Sequence, residues 1–84
     1  MNLDRDFKKI IYEDDKFYYE VPLNNGNVAE ISESVLNDSL MIFFREVPMI
    51  IYFNKYTFNK YTIIGASLTL YVDDLLITTI QIKR

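Results

Sequence analysis

Val35-Leu36-Asn37-Asp38-Ser39-Leu40-Met41-Ile42-Phe43-Phe44-Arg45-Glu46-Val47 is the stretch on which the fold turns. Leu36, Leu40, Phe43, Phe44 and Val47 fall on one stripe at helical spacing. Asn37 or Asp38 can cap such a helix, and Pro48 follows its end. The pattern predicts a helix over 35–47. Met41 and Ile42 lie off the stripe, which keeps a strand from Leu40 to Val47 as the alternative.

On the N-terminal side, Leu3, Phe7, Ile10 and Ile11 also share a helical stripe. Asn2 is a suitable N-cap, and Asp4 and Asp6 precede Lys8 and Lys9 as the macrodipole favours. This predicts a first helix over 3–12. Residues 16–33 read as a hairpin, because Phe17, Tyr19, Val21 and Leu23 alternate with polar or turn residues before Asn24-Asn25-Gly26-Asn27. A three-residue loop, Asn24 to Gly26, places Gly26 at the left-handed position. It sets Val21 against Ala29 and Tyr19 against Ile31, with Glu20 across from Glu30 on the other face. Like charges directly opposite repel, so this pair either splays into water or awaits a cationic partner.

From Met49 onward the chain reads as β. Met49–Phe53 is an apolar run, and Asn54-Lys55-Tyr56-Thr57 repeats as Asn59-Lys60-Tyr61-Thr62, bracketing a hairpin loop near 57–59. Gly65 marks a shift of alternation, as a bulge or turn does. The last hairpin turns at Asp73-Asp74. An odd-length loop there groups Ala66, Leu68, Leu70 and Val72 with Leu76, Ile80 and Ile82. It leaves Ser67, Thr69, Tyr71, Thr79, Gln81 and Lys83 on the opposite face, a cleaner division than a two-residue loop allows. The expected fold is α+β: one mostly antiparallel sheet with two helices packed on one face, in a single domain over 1–84.

Half of the 84 residues are apolar and 15% aromatic, enough for one modest core and against disorder. The chain has no His, Cys or Trp, so disulfides, thiolate metal sites and the usual nucleophilic triads are excluded. No cofactor is expected, and binding is a better expectation than catalysis. Residues 1–47 carry ten acids and five bases, a net −5, whereas 48–84 carry two acids and four bases, a net +2. The overall charge of −3 suits a basic protein surface better than a DNA duplex. Asp4, Arg5 and Asp6 do not make a secretory leader, and no apolar run spans a membrane. The bacterial cytoplasm is the expected compartment. Abundant Ile, Asn, Lys and Tyr with few Ala and Gly fit AT-rich coding, as in phages and mobile elements.

Several short motifs need weighing. Tyr71-Val72-Asp73-Asp74 resembles the metal-binding hairpin of reverse transcriptases, but over about ten residues and without a third carboxylate on a neighbouring strand. An acidic β-turn without metal explains it. Glu13-Asp14-Asp15 reads as a solvated loop, with a cation site or partner contact as the sharper alternative. Lys55, Tyr56, Lys60 and Tyr61 interleave bases with rings, a sparse version of a single-strand binding pattern. Glu30-Ile31-Ser32-Glu33-Ser34-Val35 ends a strand and leads toward the second predicted helix.

That arrangement is similar to the uracil-DNA glycosylase inhibitors of phages and mobile elements. In that family a first helix is followed by a strand bearing Glu-Ser-Ile or a near variant, a second helix and antiparallel strands. Glu33-Ser34-Val35 stands at the motif, with 38–47 as the second helix. The resemblance implies that the acidic strand fills the enzyme's DNA groove. It also implies a hydrophobic cavity that captures an apolar side chain of the enzyme, lined here by Leu40, Phe43, Phe44 and Ile50. The chain departs from the family in its modest charge and in an extra strand at 16–22.

The expectation is therefore a small inhibitor of a nucleic-acid-processing enzyme, most specifically of uracil-DNA glycosylase, with an anti-CRISPR protein as a neighbouring form. Glu20, Glu30, Glu33 and Asp38 supply charge complementarity, Ser34 and Val35 complete the motif strand, and the 35–47 stripe is the apolar anchor. The alternative is a self-assembling module whose apolar sheet is completed by a second copy. A metal-dependent enzyme using Asp73 and Asp74 is the third candidate.

Overall fold

Eight strands follow one another along the chain: β1 (Lys8–Glu13), β2 (Lys16–Pro22), β3 (Val28–Ser34), β4 (Ser39–Phe44), β5 (Met49–Asn54), β6 (Lys60–Ile64), β7 (Ser67–Val72) and β8 (Leu75–Gln81). The computed structural model describes residues 2–34, 39–54 and 58–84, with the backbone alone at Ser34 and Asn54. The strands form two antiparallel meanders, a five-stranded sheet in the order β1-β2-β3-β4-β5 and a three-stranded sheet in the order β6-β7-β8.

The fold is all-β, which corrects the expected α+β class with two helices: no helix occurs among the described residues. The first predicted helix is reduced to a single turn. Asp4 N–H donates to Asn2 Oδ1 at 2.8 Å, so the capping signal is real. Phe7 and Asp6 N–H then close on the Leu3 carbonyl at 2.9 and 3.1 Å, and the chain enters β1. Ile10, Ile11 and Tyr12 are strand formers, and Lys9, Ile10 and Ile11 pair with Tyr19, Tyr18 and Phe17 before an irregularity at Tyr12. Over 39–44 the strand alternative holds instead of the 35–47 helix. Leu40 and Ile42 face the core while Met41 and Phe43 face away, a period of two. Leu36 and Asn37 lie outside the described residues.

The core lies between the sheets. Tyr19, Val21, Leu23, Ala29, Ile31, Leu40 and Ile42 from the larger sheet meet Leu68, Leu70, Ile80 and Ile82 from the smaller. Leu3 and Phe58, each just outside a strand, are fully buried in the same cluster, with Phe58 edge-on to Phe53 at 5.7 Å between ring centroids. The sheets join where β2 runs on past β1. An isolated bridge pairs Leu23 with Ile82, and Lys83 N–H donates to the Pro22 carbonyl at 2.9 Å. Tyr61 ties the opposite side together, its hydroxyl donating to Asp6 Oδ2 at 2.6 Å.

The 16–33 hairpin forms as its turn residues dictate. Leu23 N–H donates to the Asn27 carbonyl at 2.8 Å around the loop Asn24–Gly26, and Gly26 has φ +88°. Val21 faces Ala29, Tyr19 faces Ile31, and Glu20 faces Glu30. At the last hairpin the faces are largely as expected, but the loop is not. Val72 pairs with Leu75 around a two-residue turn, and a register shift between Leu70 and Tyr71 restores the alternation. Leu68 thus meets Ile80, while Thr69 meets Thr79 and Ser67 meets Gln81 on the other face. Leu76, opposite Tyr71, ends outside the core and exposed. Gly65 makes a turn with φ +59° between β6 and β7. β5 and β6 belong to different sheets, so the repeat does not bracket a hairpin; its Lys55–Thr57 portion lies outside the described residues.

Candidate functional site

The outer face of the five-stranded sheet gathers the polar and aromatic side chains that the core does not use. The register defines two rows across it. Lys8, Glu20, Glu30, Phe43 and Ile50 form one; Ser32, Met41 and Tyr52 lie in the next, on the Tyr18 side. Tyr12 and Tyr18 stand together at the β1–β2 end, with ring centroids 6.0 Å apart.

Glu20 and Glu30 are the opposed carboxylates expected from the sequence, and Arg45 holds them. Its main-chain N–H continues the ladder to the Val28 carbonyl at 3.1 Å, so alternation puts its side chain on the outer face with Phe43. Arg45 Nε donates to Glu30 Oε2 at 2.6 Å and Nη2 to Glu20 Oε2 at 3.1 Å. Nη2 also lies 3.5 Å from the Tyr18 hydroxyl. The bond to Glu30, helped by that to Glu20, raises the Arg45 pKa above its ordinary value. The like-charge pair therefore has a cation from its own chain, and two carboxylates on one guanidinium leave the group at −1.

The other expected site residues disperse. Glu33 is paired with the fully buried Leu40, which places it on the core-facing side of β3, and its Oε1 is buried. It does not join Glu20 and Glu30. Ser34 ends β3 and pairs with Ser39. Val35 and Asp38 lie outside the described residues. Leu40, Phe43, Phe44 and Ile50 do not line one cavity, because a strand sends neighbours to opposite faces. Leu40 is in the core and Phe44 packs against it, whereas Phe43 and Ile50 pair on the outer face.

Two hollows and the uncharged edge of the larger sheet offer binding surface among the described residues. An outer-face recess of about 230 Å³ is lined by Tyr12, Tyr18, Glu30, Ser32, Met41 and Phe43. A cleft of about 290 Å³ opens between the sheets, where Ile42, Phe44 and Ile51 face Thr78 and Ile80 beside the Asn24–Asn27 loop. The edge is β5, paired with β4 through six consecutive residues and, among the described residues, with no other strand. Met49, Ile50 and Tyr52 are 47%, 56% and 50% exposed, and Ile51 is exposed on the opposite face from Ile50.

Asp73 and Asp74 occupy the β7–β8 turn, Asp73 with φ +55°. Asn59 brackets Asp73, its Nδ2 donating to Oδ1 and its Oδ1 accepting from the Asp73 N–H, both at 2.8 Å. Lys60 reaches Asp74 at 3.5 Å. These contacts give the turn a structural account, and no cluster of three potential metal ligands occurs among the described residues. Arg45, Tyr12, Tyr18 and the β5 edge were not singled out from the sequence. Reading 39–45 with a period of two would have placed Arg45 beside Phe43 and above Glu30.

No helix among the described residues is long and apolar enough to cross a membrane. Comparison with known proteins adds no relative, since no family model, curated protein or solved structure matches the chain.

Proposed function

We propose that this protein is a homotypic interaction module that completes its larger sheet by pairing β5 with β5 of a second copy. The observation that supports this is the edge itself. Proteins guard exposed strand edges with charges, prolines or bulges. β1 carries Lys8, Lys9 and Glu13 and an irregularity between Ile11 and Glu13, β6 begins with Lys60, and β8, uncharged itself, has its pairing interrupted opposite Leu70 and Tyr71. β5 reads Met-Ile-Ile-Tyr-Phe-Asn, uncharged and in unbroken register with β4. An antiparallel pairing about a two-fold axis at Ile51 would set Ile50 and Tyr52 of opposite copies against each other on one face and the two Ile51 side chains against each other on the other. Selective recognition of a different partner commonly relies on a charge pattern, and β5 has none to offer.

Light scattering after size exclusion tests this directly. The expected result is a dimer that dissociates on dilution, and a monomer when Ile50→Lys places a charge on the edge. Circular dichroism of Ile50→Lys should match the parent. A parent protein that stays monomeric at high concentration would overturn the proposal.

A second reading retains an inhibitor that occupies a basic nucleic-acid-binding groove, such as that of a uracil-DNA glycosylase in a bacterial cytoplasm. What favours it is the exposed turn Glu13-Asp14-Asp15, where, among the described residues, Lys16 answers Glu13 alone, at 3.3 Å. Glycosylase inhibition lost on charge reversal at Asp14 and Asp15 would support this reading; no inhibition by the parent protein would dispose of it.

A further inference from the structure

The outer-face recess combines aromatic walls with one carboxylate. Tyr12, Tyr18 and Phe43 supply rings, Met41 a polarisable thioether, Ser32 a hydroxyl and Glu30 the one carboxylate. Beside it one guanidinium, that of Arg45, bridges Glu20 and Glu30, and Lys8 stands opposite Glu20 at the sheet edge. At about 230 Å³ the recess is smaller than the roughly 300 Å³ at which sites for drug-sized ligands begin, so it suits one chemical group.

We infer that this recess binds a quaternary ammonium group. Aromatic faces attract cations through the ring quadrupole, most strongly when the cation is poorly hydrated. Hydration discriminates further. A lysine ammonium is strongly hydrated and would shed that water on entering a recess walled mainly by rings and a thioether. A trimethylated nitrogen has no N–H to satisfy. It takes the attraction of the rings and of Glu30, and its methyl groups fill an apolar wall. The group is common to free choline-like amines and to trimethylated lysine side chains. The recess lies on β1–β4, so the inference does not depend on pairing through β5.

The test is an NMR titration of the full chain, following the Tyr12 and Tyr18 ring resonances. The probes are choline, N-acetyl-trimethyllysine methylamide, and 3,3-dimethylbutan-1-ol, the neutral isostere of choline. Saturable shifts are expected with at least one cation, with the alcohol binding about tenfold more weakly or worse. Tighter binding of choline would mark a free amine as the occupant; tighter binding of the lysine derivative would mark a protein side chain. Tyr12→Ala, at an exposed edge position, should weaken binding about tenfold while leaving the circular dichroism unchanged. No saturation with either cation, equal binding of the neutral isostere, or full affinity in Tyr12→Ala would each overturn the inference.

Discussion

Arg45 Nε lies 2.6 Å from Glu30 Oε2, so a residue beyond the end of β4 clamps a carboxylate in the middle of β3. The same guanidinium reaches Glu20, the residue that faces Glu30 across the β2–β3 ladder. A pair that would be repulsive in an isolated hairpin becomes a three-strand tie once β4 is in place. Hairpin and third strand thus stabilise each other through charge as well as packing.

Removing the clamp tests that tie. Arg45→Met should destabilise the protein by about 1 kcal/mol, because the three side chains are only partly shielded from water. Glu20→Gln added to Arg45→Met should recover most of the loss. Thermal denaturation of the single and double variants reads the coupling. An uncoupled, additive response would show that the repulsion between the two carboxylates is negligible.

The strand assignment of 39–44 has a sharper signature. Ile42 is 1% exposed, whereas its neighbour Met41 lies on the outer face. Ile42→Ala should cost about 3 kcal/mol, and Met41→Thr should change stability little. Urea denaturation measures both. A helix with Phe43 and Phe44 inward would leave both Met41 and Ile42 off its buried stripe and make both substitutions mild.

Tyr61 predicts a response to alkali. Its hydrogen bond to Asp6, reinforced by burial, raises its pKa from the ordinary 10 to about 12. A phenol whose folded pKa is raised contributes stability that is fully present below pH 10. That contribution is lost as the pH climbs toward about 12. The parent should therefore lose stability over this interval more steeply than Tyr61→Phe. At neutral pH Tyr61→Phe should cost about 1 kcal/mol for the missing bond. Denaturant midpoints at neutral pH and at two alkaline values give the comparison.

Gly26 sits at φ +88° with nothing within 4 Å of where a Cβ would lie. Gly26→Ala should destabilise by about 1 kcal/mol through backbone strain alone, while Gly26→Asn should cost less. The difference in melting temperature between the two variants is the measurement.

The 16–33 hairpin was legible in full because its information is local. Asn24–Gly26 dictates the loop, the loop dictates the register, and the register puts Glu20 opposite Glu30. The faces of β7 and β8 were legible for a related reason, since alternation survives a wrong loop length when a bulge absorbs the extra residue. The candidate site was legible only in part: its two carboxylates were foreseen, but not the arginine or the rings around them.

Alternation, turn chemistry and composition thus determined a β-rich, cysteine-free chain with an acidic front half and one fully specified hairpin. Tertiary structure decided the rest, above all that 3–12 and 39–47 do not form helices. Ile10-Ile11 and Met41-Ile42-Phe43-Phe44 are apolar in succession, so a helical stripe and a strand face can both be drawn through them. Local propensity does not choose between the two. The choice falls to the neighbours, because β2 and β3 present unpaired backbone edges and an apolar face that strands at 8–13 and 39–44 can complete.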